Sequence, residues 1–266
     1  MNSIHHIVII GAGNVATHLA DAFQQSGKKI DQIYSRSAVS AKNLATKLDC
    51  SYTTNINELN VNSELYLVAV KDEVLPEILK KIKLKNKLIV HTSGLHPMHL
   101  LKKCSSNYGI FYPLQTLTIK RKINTNTIPI CIEANSKKNQ EILSDLAHLF
   151  TENVRIVDSE KRKILHLAAV FACNYTNHLY SIAEDILKNA EIPFNLLHPL
   201  IKETAEKAIE TGPFEAQTGP ARRNDLKVIQ SHKKLLTNKE QKNIYSLLSK
   251  SIIKKYFQKD NENEKL

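Results

Sequence analysis

Six positions between residues 163 and 178 have the types and spacing to line a binding surface and move a proton. Lys163, His166, Val170, Asn174, Asn177 and His178 follow one another at intervals of 3, 4, 4, 3 and 1. At about 100° per residue of an α-helix they fall on one face roughly 120° wide. The neighbours Ile164, Leu165, Leu167, Ala168, Ala169, Phe171 and Ala172 are apolar. Buried polar groups need partners, and a solvated face carries Glu and Lys more often than Asn and His. This face is therefore expected to line a ligand cleft between two domains.

A second group sits at the N-terminus. Ile7, Val8, Ile9 and Ile10 run directly into Gly11, Ala12, Gly13, Asn14, Val15 and Ala16. A buried strand, a glycine turn and a helix start in this order are what a dinucleotide-binding βαβ unit requires. Gly11 permits the tight turn, Gly13 lets the backbone approach a pyrophosphate, and the helix N-terminus faces the phosphates. The end of the next strand reads Tyr34, Ser35, Arg36, Ser37. The carboxylate that would accept a ribose 2′-hydroxyl is missing there. A guanidinium between two hydroxyls suits a 2′-phosphate, so NADP (NADPH) is the expected cofactor.

Ligands of a doubly wound sheet bind beyond the carboxyl ends of its strands. Val70 and Lys71 are placed there beside the cofactor. His91, Thr92 and Ser93 are placed there as groups to hold a substrate carboxylate or carbonyl. The segment Tyr112 to Thr116, with Gln115, either lines the pocket or turns the chain. Thr218 and Arg223, in the turn from Gln217 to Asp225, are candidates to clamp an anionic substrate, with Asp225 as a partner for Arg223. Hydride reduction of a carbonyl needs a proton donor and a group to hold the oxyanion. Lys163 and His166 are the candidate donors, and Asn174 would orient the substrate. His166 comes first because it lies deeper in the apolar stretch. Lys163 adjoins the charged start at Glu160, Lys161 and Arg162, expected to be exposed.

The elements that must position these groups change type along the chain. Up to residue 157 strands alternate with helices, arguing for a doubly wound, largely parallel sheet. Strands are expected at 7–10, 30–34, 50–52, 65–70, 87–94, 109–116, 128–134 and 154–159. Helices are expected at 14–26, 38–48 and 137–150, with another capped by Asp72. From 158 to 258 only helices are expected: 160–190, 194–211, 222–236 and 238–257. Asp158 or Ser159 caps the first, and Gly212-Pro213 ends the second. Residues 259–266 read as a charged, frayed tail. The fold class is thus α/β, a Rossmann domain at 1–157 followed by an all-helical substrate and dimerisation domain at 158–258.

The bulk numbers narrow the class further. A chain of 266 residues can bury a real core. It has no apolar run of the roughly 18 residues that span a membrane, and no signal-peptide pattern. The four cysteines, Cys50, Cys104, Cys131 and Cys173, are scattered without metal-ligand spacing, so no metal is expected. Reduced thiols suggest the cytoplasm. The net charge of +11 comes from lysines spread along the chain. A nucleic-acid protein would gather them in a stripe, so nucleic acid is not an expected partner.

The segments IIGAGNVATHLA, YSRS, VAVKD, HTSG, YPLQT, HLAAVFACNYTNHLY and QTGPARRND resemble landmarks of one bacterial family. Its members join a Rossmann-like domain to a DUF2520 domain and are akin to the F420-dependent NADP oxidoreductases and pyrroline-5-carboxylate reductases. The resemblance covers essentially the whole chain. It departs at Asn224, where glycine is expected before Asp225. It implies NADP-linked redox chemistry and a homodimer built through the helical domain. Some relatives resemble ketopantoate reductases. The usual members of that group place an asparagine four residues after a lysine on the first helix beyond the Rossmann domain. Here Lys163 is followed by Leu167 and His166 by Val170, so that pair is missing.

Together these readings point to an NADP-dependent oxidoreductase acting on a CH–OH or CH–NH group. Its substrate would be a small carboxylate-bearing carbonyl or imine, with ketopantoate reduced to pantoate as the single best choice. The alternative is a non-catalytic dinucleotide-binding homodimer that regulates or senses a metabolite.

Overall fold

Apolar runs buried on both sides make the strands, and stretches with one apolar face make the helices that cover them. The computed structural model describes residues 4–121 and 123–263. Strands β1 (His6–Ile10), β2 (Lys29–Tyr34), β3 (Ser51–Thr53), β4 (Leu65–Val68), β5 (Lys85–His91), β6 (Ser105–Pro113), β7 (Ile130–Ala134) and β8 (Val154–Ile156) form one sheet. Its order is β3-β2-β1-β4-β5-β6-β7-β8. Neighbours are parallel except β6 and β7, which run antiparallel. The doubly wound expectation holds. Strand ends differ: β6 starts at Ser105, and β4, β5, β6 and β8 stop at Val68, His91, Pro113 and Ile156, short of their expected ends.

Helices α1 (Asn14–Gln25), α2 (Ala38–Leu48), α3 (Leu75–Lys80) and α4 (Lys137–His148) connect these strands. Phe23, Leu44 and Leu143, from α1, α2 and α4, share a core with Ile7, Ile9, Leu67 and Phe111 on one sheet face. Leu75 and Ile78 of α3 pack with Val8, Ile10, Val68 and Ile89 on the other. Each fully buried Ile, Leu or Phe of this kind stabilises the fold by roughly 1.5–3 kcal/mol. Asp72 does not cap α3. It opens a 3-10 turn, Asp72–Val74, and Val74 stands at the cap, with Pro76 in the first turn.

The stretch expected as one helix over 160–190 has three parts. Helix α5 (Ser159–Ala169) leads into a π-helical segment, Val170–Tyr175, and α6 (Thr176–Lys188) follows. Asp158 caps α5 by accepting from the Lys161 N–H at 2.8 Å. The single-face expectation assumed α-helical phase throughout, and the i→i+5 bonding of a π segment changes that phase. Contacts divide the chain into Met1–Asn174 and Tyr175–Leu266. Element type therefore changes at residue 158, whereas compactness changes within the π segment.

Arg162 explains why α5 belongs with the sheet. Expected at an exposed helix start, it is fully buried. Its Nε donates to the Ser93 carbonyl at 3.2 Å and its Nη2 to the His96 carbonyl at 2.6 Å. Nη1 donates to Glu133 Oε2 at 2.6 Å, and Ser159 Oγ donates to the same oxygen at 2.7 Å. One guanidinium thus ties α5 to the loop after β5 and to β7.

The second unit contains α6, α7 (His198–Thr211), α8 (Leu226–Leu235) and α9 (Lys239–Asn263). Gly212, at φ 84°, ends α7 as expected. Helix α8 starts four residues later than expected because Asn224 takes φ 54° and Asp225 caps the helix. Asparagine tolerates this left-handed backbone better than most residues, which accounts for its standing where glycine was expected. Asp225 Oδ1 accepts from the Val228 N–H at 3.1 Å, so it serves the helix rather than Arg223. Residues 259–263 continue α9 instead of forming a frayed tail, and 264–266 lie outside the described residues.

Breaking a buried ion pair leaves the other charge stranded. Arg162→Ala is expected to lower the free energy of unfolding of the sheet-containing unit by about 3–5 kcal/mol. Urea denaturation followed by circular dichroism checks this value.

Candidate functional site

The glycine turn between β1 and α1 is built for close approach on one side and access on the other. Gly11 has φ 130°, and its N–H donates to the Tyr34 carbonyl at 2.8 Å. A Cβ at Gly11 would lie 2.0 Å from the Ala69 carbonyl oxygen. The turn is therefore wedged between β2 and the end of β4. At Gly13, by contrast, an added Cβ would meet nothing within 4 Å. Gly13 is the N-cap of α1 and supplies no side-chain cap, and the first turn has no acidic residue. The leading N–H groups of α1 are left for an anion. Asn14 Oδ1 accepts from the Ile119 N–H at 3.3 Å, so the chain after β6 lies against this end of α1.

The residues expected beside this cradle divide by role. Ser37 is the N-cap of α2, its hydroxyl accepting from the Ser40 N–H at 3.3 Å. Ser35 Oγ accepts from the Ser37 N–H at 3.2 Å. Both hydroxyls therefore shape the turn, and Arg36 between them is exposed. Ala12 and Val15 are partly buried against the core. Val70 is half-buried beyond the end of β4, whereas Lys71 is exposed and 4.0 Å from Glu73.

The loop after β5 is more inward than the sequence suggested. His91 is fully buried, and its Nδ1 accepts from the Ser93 N–H at 3.2 Å. Its Nε2 is a buried nitrogen without a hydrogen-bond partner among the described residues. Burial, reinforced by the Arg162 charge, pushes its pKa down to about 3. His91 is thus a neutral part of the wall, screened from the substrate it was expected to hold. Ser93 Oγ accepts from the N–H groups of Leu95 and His96 at 3.1 and 2.9 Å. Thr92 is also buried, its N–H donating to the Val68 carbonyl at 3.1 Å.

His166 lies one helical turn beyond Arg162, on the same face of α5. It borders a cavity of about 570 Å³ lined by Tyr112, Gln115, Thr116, His166, Asn174 and apolar residues between them. Leu114, Leu165, Ala169 and Val170 supply most of the apolar wall. Tyr112 Oη is 3.1 Å from His166 Nδ1. Burial pushes the Tyr112 phenol up to about 12, so it remains a hydroxyl at neutral pH. Gly94 backs onto the imidazole so closely that a Cβ there would lie 2.6 Å from Nδ1. Lys163 turns elsewhere and donates to Glu160 Oε1 at 2.8 Å. Of the two expected proton donors, only His166 lines this cavity.

Asn177, His178, Thr218 and Arg223 belong to the second unit and are exposed there. Gly219 at φ 101° and Asn224 shape the turn that carries Thr218 and Arg223.

Known proteins fit this geometry. Residues 6–94 match the family model described as NADP oxidoreductase coenzyme F420-dependent, and residues 128–252 match the domain of unknown function DUF2520. The chain is similar to a Bacteroides fragilis protein described as a candidate NADP oxidoreductase. The two are 43% identical over 94% of this chain and 98% of that one, with a TM-score of 0.90. The chain belongs to this Rossmann–DUF2520 family of NADP oxidoreductases. A Thermotoga maritima protein shares the fold of this oxidoreductase at 23% identity and TM-score 0.74, over 93% of this chain and 99% of that one. So does an imine reductase from Myxococcus stipitatus in complex with NADP+, at 16% identity and TM-score 0.63, over 97% and 94% of the two chains. No match was found among curated proteins.

Gly94, Arg162 and Glu133 complete the site and were given no role from sequence, and Tyr112 was named only within the segment expected to line the pocket or turn the chain. Tyr112 lies between the two matched segments, near the end of β6. Arg162 sits among charged neighbours and reads as surface.

His91 makes stability pH-dependent in a defined direction. Its folded pKa lies below the ordinary value of 6.5, so the unfolded chain takes up the proton first as pH falls. Its contribution is fully present above 6.5 and is lost on descending from 6.5 towards 3. His91→Asn keeps an acceptor for the Ser93 N–H. It should flatten the acid limb of a melting-temperature profile across that window.

Proposed function

We propose that this protein is an NADP-dependent reductase of a small carbonyl or imine substrate, with His166 as proton donor. The supporting observation is continuity along one edge of the sheet. Gly11 touches Ala69 at the end of β4, Thr92 bonds to Val68, Gly94 touches His166, and His166 bonds to Tyr112. The glycine cradle and the cavity are thus joined by contacts across β1, β4, β5 and β6.

NADPH, when bound, supplies the hydride. The α1 N–H groups behind Gly13 would hold its pyrophosphate, Arg36 its 2′-phosphate, and the backbone near Val70 would lie alongside. His166 gives a proton to the oxygen or nitrogen of the substrate as the carbon is reduced. Asn174 orients that group from the cavity wall. The apolar lining accepts an aliphatic substrate body. Since none of the described lining residues is a lysine or arginine, a substrate carboxylate would need a cation from outside this lining. Ketopantoate and cyclic imines are the substrates to examine first.

We further propose that the protein acts in the cytoplasm as a homodimer. Its four cysteines are free, and no helix among the described residues is long and apolar enough to cross a membrane. Ile209, Leu235 and Leu247 are 83%, 77% and 70% exposed in the helical unit, as expected of side chains that a second copy covers.

The test follows loss of the reduced-nicotinamide absorbance with NADPH and a panel of 2-oxo acids and cyclic imines. Turnover of at least one member is expected, with His166→Ala reducing kcat by roughly 10²–10⁴-fold. Tight NADPH binding without turnover of any member would favour a metabolite-sensing dimer instead.

A further inference from the structure

The imidazole of His166 is held on two sides and free at one nitrogen. Tyr112 Oη meets Nδ1 at 3.1 Å, and the two rings stand edge to face, 6.1 Å apart at 76°. Gly94 closes the approach to the same edge of the ring, since any side chain there would collide with Nδ1, Cγ and Cβ. Nε2 has no partner among the described residues, and the ring borders the cavity.

We propose that Tyr112 is the positioning residue for His166: its hydroxyl oxygen accepts from Nδ1–H, so Nε2 is the nitrogen that carries and surrenders the proton. The proposal rests on the reductase reading above. An imidazolium carries a proton on each nitrogen, and the hydrogen bond made by one decides what the other can do. Transfer to substrate breaks the Nε2–H bond and forms the O–H or N–H bond of the product. The electron pair of the new C–H bond comes from NADPH. The ring is left neutral, with Nδ1–H still on Tyr112, and Nε2 is reloaded from solvent.

A tyrosine suits this role better than a carboxylate. A carboxylate would bring a second charge beside the ring, whereas a neutral hydroxyl orients it through one hydrogen bond. Burial supports this by keeping the phenol protonated. The geometry also gives Gly94 a purpose: it admits the ring to within reach of Tyr112.

The experiment uses the full chain labelled with 15N-histidine, the His166 signals being assigned by their loss in His166→Gln. Nitrogen shifts and couplings report which nitrogen carries the proton above the titration of the ring. Wild type is expected to show the Nδ1–H tautomer. Tyr112→Phe keeps the ring volume and is expected to revert to the Nε2–H tautomer that free histidine favours. With a responsive substrate the same variant should lose roughly 10- to 100-fold in kcat, part of the general-acid contribution, with KM for NADPH unchanged. An Nε2–H tautomer in wild type, or the same tautomer in both proteins, would overturn the proposal. The wild-type spectrum decides even if Tyr112→Phe does not fold. A wild-type Nδ1–H tautomer without turnover of any substrate would overturn the reductase reading instead and leave the placement of Tyr112 supported.

Discussion

The buried guanidinium of Arg162 is the interaction on which the site depends. An unpaired cation at full burial would be prohibitively costly, and its donors are met by two carbonyls, a carboxylate and a hydroxyl. Those partners come from the loop after β5, from β7 and from the first turn of α5. The helix is therefore held in one rotation about its own axis. His166, four residues on, then meets Gly94 and Tyr112 by helical geometry. The same charge helps keep His91 neutral, so the wall behind the loop stays free of a second cation.

The sheet does for the glycine turn what Arg162 does for His166. Parallel pairing of β1, β4, β5 and β6 brings four strand ends to one edge. The ends of β1 and β4 meet at Gly11, those of β4 and β5 through the Thr92 N–H, and those of β5 and β6 through His166, which contacts both Gly94 and Tyr112. Small residues at Gly11 and Gly94 have opposite partners but the same purpose, letting two elements approach closer than side chains would allow. Gly13 differs, being open on the side where a phosphate would come.

Much of this was legible in the residues. The run from Ile7 to Ala16 encodes strand, turn and helix through residue type alone, and the cap at Asp158 and the stop at Gly212 follow from local chemistry. What was hidden is set by tertiary contact. Arg162 looks like surface because burial of a charge depends on partners 29 and 69 residues away in sequence. His91 looked available because a strand end does not reveal the loop that folds over it. The π segment was invisible because Val170–Tyr175 contains ordinary helix-compatible residues. Antiparallel entry of β7 depends on how the chain between β6 and β7 returns, which strand patterning does not encode.

The central claim is that the dinucleotide cradle and the His166 cavity form one working edge of the sheet. A crystal structure of the full chain with bound NADP+ tests it most directly, through the distance from the nicotinamide ring to His166 Nε2. The account predicts the pyrophosphate at the α1 N-terminus beside Gly13 and the nicotinamide in the cavity, near enough for one small substrate group to bridge to Nε2. A nicotinamide directed away from Tyr112 and His166, with the pyrophosphate still at Gly13, would contradict it.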